Sequence, residues 1–292
     1  MKNIYKALCF VVLATTLVAC PNTDDATTSP PRDYQEVYDE DLAEIQDFLD
    51  THFVTVDSDF NTTFELIADG GTETPISDMT ELDSVSITTH DISYKIYYLK
   101  LREGVGESPT RLDSAFVAYK GTIPSDITLT FDQKIDPVWF QLEDVVRGWG
   151  EIFPKFKTGT FTEEANGDIT FDNYGAGVMF IPSGLGYFNQ SVGNIPAYSP
   201  LIFNFKLYDQ RYKDHDRDRI LSKDEYGVVD FNEEPIDTDG DELPDYLDPD
   251  DDNDGILTKN EINLDASNNP ILPHPDCDLD GIPDYLDPDA CL

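Results

Sequence analysis

Residues 145–156 read VVRGWGEIFPKF. Trp149, Ile152, Phe153 and Phe156 fall at i, i+3, i+4 and i+7, the spacing of one face of a short helix. A Trp in the first turn, directly after Gly148, can lay its ring flat as the floor of a cavity. The competing interpretation is a core Trp under an ordinary helix. On both sides the chain is β-branched and aromatic. Ser86–Leu101, Phe116–Thr122, Ile127–Asp132, Val138–Leu142, Gly167–Ile181 and Leu201–Asp209 all read as strands. Antiparallel strands wrapped around one short helix make an α+β half-barrel.

Outward from this centre the composition changes. Asp33–Phe53 carries Val37, Leu42, Ile45, Phe48, Leu49 and Phe53 near one helical face, with acids between them. It is expected to pack on a neighbouring domain. Thr62–Ile67 is a further strand candidate, and the segment up to Asp83 is rich in loop residues. The formal net charge is −40 over 292 residues. Such an acidic surface excludes nucleic acid as a partner, because phosphate contacts need Lys and Arg. It favours cations or a solvated tail. The acid is concentrated at the end: residues 214–292 hold 26 Asp and Glu against 4 Lys and Arg.

The first 20 residues, MKNIYKALCFVVLATTLVAC, have a basic start and an apolar run of signal-peptide length, too short to span a bilayer. Leu17-Val18-Ala19-Cys20 resembles a bacterial lipobox, which implies lipidation of Cys20 and anchoring to the cell envelope. The absence of Asp at position 21 implies delivery to the outer membrane, with the face left open. The Pro/Thr-rich PNTDDATTSPPRD that follows is a tether by composition. Cys277 and Cys291 flank the last acidic stretch, and an exported chain permits a disulfide between them. Two free thiols are the alternative.

Seven short blocks stand in order through the β-rich region. They are VAYKGT (117–122), Phe131-Asp132, VVRGW (145–149) and KTG (157–159), then IPSGLGY (181–187), NIP (194–196) and LIFNF (201–205). Over about Tyr94–Asp209 they resemble the FKBP-type peptidyl-prolyl isomerases. The resemblance implies an aromatic cup floored by Trp149 and walled by Tyr119, Phe131 and Phe203. Val145 and Val146 would line its entrance, with the Val146 N–H offered to substrate. Asp132 would face the amide, Tyr187 would donate its hydroxyl to a substrate carbonyl, and Ile195 would close one side. The chain departs from the family at Val138, where another cup aromatic is usual, although Trp139 is adjacent. The span from Tyr119 to Phe131 is long, a stretch is added between Gly159 and Ile181, and Phe188 stands where Gly is common. A reshaped cup is expected. The implied reaction, rotation about an Xaa-Pro bond, breaks no bond and needs no cofactor for catalysis. A catalyst must only bind the twisted amide better than either planar form.

The tail holds four twelve-residue loops with acids at positions 1, 3, 5 and 12. They are Asp214, Asp216, Asp218, Glu225; Asp237, Asp239, Asp241, Asp248; Asp250, Asp252, Asp254, Glu261; and Asp276, Asp278, Asp280, Asp287. Oxygen ligands at this spacing wrap a hard cation of Ca²⁺ size, with Gly at position 6 for the sharp turn. Gly255 and Gly281 fit that position, whereas Arg219 and Glu242 do not. The loops resemble EF-hand loops and, lacking flanking helices, thrombospondin type 3 repeats. A disordered acidic spacer is the alternative.

The expected layout is a signal at 1–19, a tether at 20–33 and a helical and mixed segment at 34–84. An FKBP-like domain at 85–210 and a calcium-binding repeat at 211–292 complete it. The expected function is prolyl isomerisation of exported proteins, on Xaa-Pro segments as substrate. A non-catalytic proline-peptide-binding or adhesion module on a calcium-stiffened lipoprotein is the alternative.

Overall fold

The computed structural model describes residues 30–226 and 235–289. Cys20, the signal and most of the tether lie outside the described residues, as does Cys291. The described residues from Arg32 onward form one compact unit.

Strands β3 (Leu82–Thr89), β4 (Ile92–Arg102), β5 (Ser114–Thr122), β6 (Asp132–Gln141), β9 (Gly175–Ile181) and β10 (Leu201–Arg211) make one sheet. Its order is β3-β4-β9-β10-β5-β6, every pair antiparallel. The stretch read as one strand over Ser86–Leu101 is a hairpin instead. His90 and Asp91 take φ of 53° and 60° and turn the chain between β3 and β4. Paired left-handed residues match the twist of tight hairpins, and Asp tolerates that region well. The strand expected at Ile127–Asp132 is absent: the chain loops there until β6 starts at Asp132. The added stretch after Gly159 folds into its own hairpin, β7 (Thr160–Glu163) and β8 (Ile169–Asp172).

Helix α2 (Arg147–Ile152) and the 3-10 turn Phe153–Lys155 lie on the inner face of the large sheet. Ile152, Phe153 and Phe156 are fully buried there, with Phe153 and Phe156 each 4.8 Å ring to ring from Phe205. Gly148 lets the helix approach β9, since a Cβ at that position would stand 2.6 Å from the Ile181 side chain.

The outer face is covered as well. Helix α1 (Tyr34–Thr51) is N-capped by the Asp33 carboxylate, which accepts from the N–H groups of Gln35 and Glu36. Its Ile45, Phe48 and Leu49 pack on Leu99, Val178, Phe180 and Ile202. The hairpin β1 (His52–Val56) and β2 (Thr62–Leu66) adds Val54 and Phe64. Both faces of the central strands are therefore dry, and all seven residues of β9 are buried. The segment 34–84 is a layer of the same unit, and its expected end at residue 84 falls inside β3. Among the described residues after Arg211, the helical elements are single turns, of which α3 (Ser222–Glu225) is one.

Candidate functional sites

A half-open cavity of about 370 Å³ sits over α2 at the inner face. Trp149 is its floor at 3% exposure, with the rings of Tyr119, Phe140, Phe203 and Phe153 standing edge-on around it at 5.0–5.4 Å. Edge-to-face packing of this kind fixes ring orientation beyond what burial alone does. Phe131 stands perpendicular to Phe203 at 5.5 Å. Gly121 makes room for Phe131, because a Cβ there would lie 2.5 Å from its ring. Asp132, Val145, Val146 and Tyr187 complete the expected lining.

Ile195 is the expected residue that does not line the cavity. It is 3% exposed, bridged to Val192 and packed in the core behind. Phe140, Asp144 and Gly186 line the cavity and were missed from the sequence. Phe140 supplies the aromatic that Val138 lacks. Strand β6 advances four positions, from Lys134 to Val138, where β5 advances two, from Val117 to Tyr119. Past this bulge Val138 pairs with Val117 and Phe140 with Ala115, while Trp139 pairs with Phe116 and stacks on it at 5.0 Å. Trp139 also carries the Arg211 guanidinium 4.1 Å over its ring. Alternation along the strand was the available signal: if Trp139 faces out, its neighbour two places from Val138 faces in.

The polar side of the cavity is built on Asp132. The Tyr119 hydroxyl donates to its Oδ2 at 2.5 Å. Burial first, and this hydrogen bond second, push the Tyr119 hydroxyl well above its usual pKa. Burial, followed by the field of Asp132, also raises that of Tyr187. Both phenols stay protonated at neutral pH and remain donors. The Trp149 Nε1–H is buried with no acceptor. The chemistry offered is an aromatic cup with the carboxylates of Asp132 and Asp144 and the donating phenol of Tyr187 on its polar side.

The loop that bears Tyr187 is held from the outer layer. Asp41, on α1 and 2% exposed, accepts from both the N–H and the hydroxyl of Ser183, each at 2.7 Å. Burial raises the Asp41 carboxyl to about 7, against the opposing effect of the two Ser183 hydrogen bonds. Phe188 takes φ of 47°, which explains why Gly is usual at that place. Its ring stacks on Tyr34 of α1 at 4.0 Å, and Tyr34 stacks in turn on His90 at 3.8 Å.

The four acidic loops share one conformation. In each, the position-2 N–H donates to the position-9 side chain: His215 to Ser222, Thr238 to Asp245, Asp251 to Thr258, and Cys277 to Asp284, at 2.7–3.2 Å. The position-5 N–H donates to the position-3 carboxylate in every loop. The position-7 N–H donates to the position-5 carboxylate. Position 6 takes φ between 82° and 99° whether it is Arg219, Glu242, Gly255 or Gly281. Arg219 and Glu242 therefore adopt the turn at a strain of about 1–2 kcal/mol each.

These bonds aim the carboxylates at position 3 and position 5 inward. Asp237, Asp239 and Asp241 bring oxygens within 4.8 Å of one another, as do Asp250, Asp252 and Asp254, and Asp276, Asp278 and Asp280. Position 12 lies outside these triads, although the triad at Asp250 raises Glu261 to about 7, after burial as the larger cause. In the first loop Asp216, Asp218 and Glu225 converge, with Asp214 just outside the group. Buried oxygens of Asp214, Asp216, Asp218, Glu225, Asp239, Asp250, Asp252 and Glu261 have no hydrogen-bond donor. Such oxygens fit a hard cation, whereas unpaired burial of carboxylates is costly. Cys277 is disulfide-bonded.

The first loop also contacts a residue next in sequence to the cavity lining. His215 Nε2 lies 2.9 Å from the Glu143 carboxylate, beside Asp144, while its Nδ1 lies 2.8 Å from Ser222 Oγ. No role was assigned to His215 from the sequence, where it stands far from Glu143.

Over part of its length the chain is similar to known FKBP-type isomerases. The chain is 34% identical over 117 residues to the FKBP-type peptidyl-prolyl cis-trans isomerase FkpA of Buchnera aphidicola (Acyrthosiphon pisum), covering 39% of this chain and 42% of that protein. It is 31% identical over 117 residues to FkpA of Escherichia coli K12, covering 39% and 37%. It is 32% identical over 129 residues to a probable FKBP-type isomerase of Haemophilus influenzae, covering 43% and 45%. The chain thus spans less than half the length of these curated relatives. Among solved structures, a peptidyl-prolyl isomerase of Pseudomonas syringae aligns at 19% identity and TM-score 0.37, covering 62% of this chain and 98% of that one. FkpA of Escherichia coli aligns at 25% identity and TM-score 0.36, covering 46% and 54%. The BamM C-terminal family matches residues 215–273, within the acidic loops. Part of the chain is accordingly homologous to FKBP-type peptidyl-prolyl isomerases.

Proposed function

We propose that the chain is a peptidyl-prolyl cis-trans isomerase that assists the folding of exported envelope proteins. The observation that carries this reading is the Trp149 floor ringed by aromatic edges, with Asp132 and Tyr187 at the mouth of the same cavity. A prolyl ring fills the cup. The dry walls disfavour the polar planar amide, and the Tyr187 hydroxyl and Val146 N–H meet the carbonyls on either side. Each 1.36 kcal/mol by which the twisted form is preferred gives about tenfold in rate. Catalysis itself takes no cofactor.

The acidic loops bind Ca²⁺ as a structural ion, and Cys20 carries the lipid that holds the chain to the outer membrane. Their support is the inward-facing, donorless carboxylates and the lipobox-like sequence. Incorporation of labelled fatty acid, lost in Cys20→Ser, tests the anchor.

The test of the enzyme reading is a protease-coupled assay on Xaa-Pro peptides with the chain lacking residues 1–20. The α1 layer is retained because it forms one face of the core. We expect acceleration over buffer, reduced at least tenfold in Trp149→Ala. Binding of proline peptides without any acceleration would instead support the adhesion or peptide-binding alternative.

A further inference from the structure

We propose that Asp251 is a ligand of the first cation site, so that a single Ca²⁺ clasps the loop at 214–225 to the loop at 250–261. The inference rests on the reading of the tail as calcium-binding and extends it to a residue outside the loop pattern. Asp251 occupies position 2 of the third loop, which has no place among positions 1, 3, 5 and 12. The other loops put His215, Thr238 and Cys277 there, none of them a carboxylate.

Geometry separates Asp251 from its own loop. Asp250, Asp252 and Asp254 converge on one another, whereas Asp251 brings an oxygen within 4.8 Å of oxygens from Asp216, Asp218 and Glu225. The loop at 237–248 lies between these partners in sequence. Asp251 is 1% exposed, Asp218 fully buried and Glu225 4% exposed. Neither oxygen of Asp251 has a hydrogen-bond donor, and neither has either oxygen of Glu225. The Thr258 hydroxyl accepts the Asp251 N–H at 3.2 Å. No Lys, Arg or His among the described residues forms an ion pair with any of the four acids.

An ionised carboxylate without donors or a counter-charge does not persist in a dry site. Both oxygens of Asp251 and Glu225 are of this kind, and Asp216 and Asp218, which each accept one backbone N–H, keep a second oxygen without a donor, so a common cation would serve all four. An all-oxygen set selects a hard ion such as Ca²⁺ over transition metals, which favour imidazole and thiolate. The ion then fixes how the loops stack, because neither loop supplies the whole set.

The experiment is calcium titration by calorimetry on the chain lacking residues 1–20, stripped of metal beforehand. It compares wild type with Asp251→Asn, Glu225→Gln and Asp250→Asn. We expect Asp251→Asn and Glu225→Gln to weaken the same single site at least tenfold, and Asp250→Asn to weaken a different one. Wild type that binds Ca²⁺ while Asp251→Asn keeps every site within about threefold overturns the clasp and leaves the calcium reading intact. Wild type that binds no Ca²⁺ overturns both. Melting provides a readout that a packing role does not move in the same way. Asp251→Asn should raise Tm in chelator, where it removes a buried unpaired charge, and lower Tm in Ca²⁺, where it removes a ligand. A fall in both conditions refutes the proposal.

Discussion

Asp41→Asn separates charge from shape at the contact that ties the outer helix to the cavity loop. Asparagine keeps an acceptor oxygen for the Ser183 N–H and hydroxyl, now at 2.7 Å, and cannot ionise. In wild type the folded carboxyl titrates at about 7 against an ordinary value of 3.8, because burial outweighs the Ser183 hydrogen bonds. A raised carboxyl binds its proton more tightly when folded. Its contribution to stability is therefore greatest below the unfolded pKa and is lost as pH rises through the folded one. With 1.36 kcal/mol per pKa unit, wild type gives up about 2 kcal/mol by pH 5 and about 4 kcal/mol by pH 8, relative to strong acid. Asp41→Asn escapes that loss, so its stability relative to wild type should rise by about 2 kcal/mol between pH 5 and pH 8. Urea unfolding of both proteins at each pH, in the same saturating Ca²⁺, measures the difference while the tail cancels. A relative stability that stays flat, or falls, over that range refutes the account of Asp41 as a strained buried carboxylate.

Three further outcomes follow from the site. Phe140→Ala should lower kcat/KM severalfold, whereas Trp139→Ala, on the opposite face, should leave kcat/KM unchanged and cost stability through Phe116 and Arg211; equal kinetic losses in the two would refute the placement of Phe140 in the cup. Asp132→Ala and Tyr119→Phe both remove one hydrogen bond, so in a double-mutant cycle on kcat/KM their effects should fall short of additive, and simple additivity would count against a shared role. Chelation should lower the melting temperature of the tail and expose its amides to hydrogen exchange, and an unchanged exchange pattern would remove the structural role assigned to calcium.

The inner half of the fold was legible because its constraints are local. Trp149, Ile152, Phe153 and Phe156 share a helical face, and all four are buried. The repeated acids of the tail are likewise spaced along one chain, and each loop closes with bonds between its own residues. What stayed illegible depends on pairing across sequence distance. The bulge in β6 turns Phe140 inward and Trp139 outward, yet it is defined only against β5. The outer layer joins Ile45 and Phe48 to Val178 and Phe180, more than a hundred residues away. An amphipathic pattern tells that α1 has a partner, not which surface it is. Phe188 was flagged only as a departure from Gly. Its left-handed backbone and its stack on Tyr34 supply the reason the departure is tolerated.

Segments before and after the large sheet reach the surroundings of the cup through contacts that the sequence separates. From the N-terminal side, Asp41 grips Ser183 and Tyr34 backs Phe188, bracketing the loop that presents Tyr187. From the C-terminal side, Lys213 N–H donates to Asp113 at 3.0 Å, and His215 reaches Glu143, which directly precedes the cavity-lining Asp144 and Val145 in sequence. The His215 ring is itself held by Ser222, three residues before Glu225. A cation that gathers Asp216, Asp218 and Glu225 would thus also order the residue that contacts Glu143. Loss of the ion should be felt first at Glu143 and at the entrance valines, and least at Trp149. The floor is fixed by rings from β5, β6 and β10, none of which belongs to the tail. Calcium dependence, if it enters turnover, should therefore appear in KM before it appears in kcat.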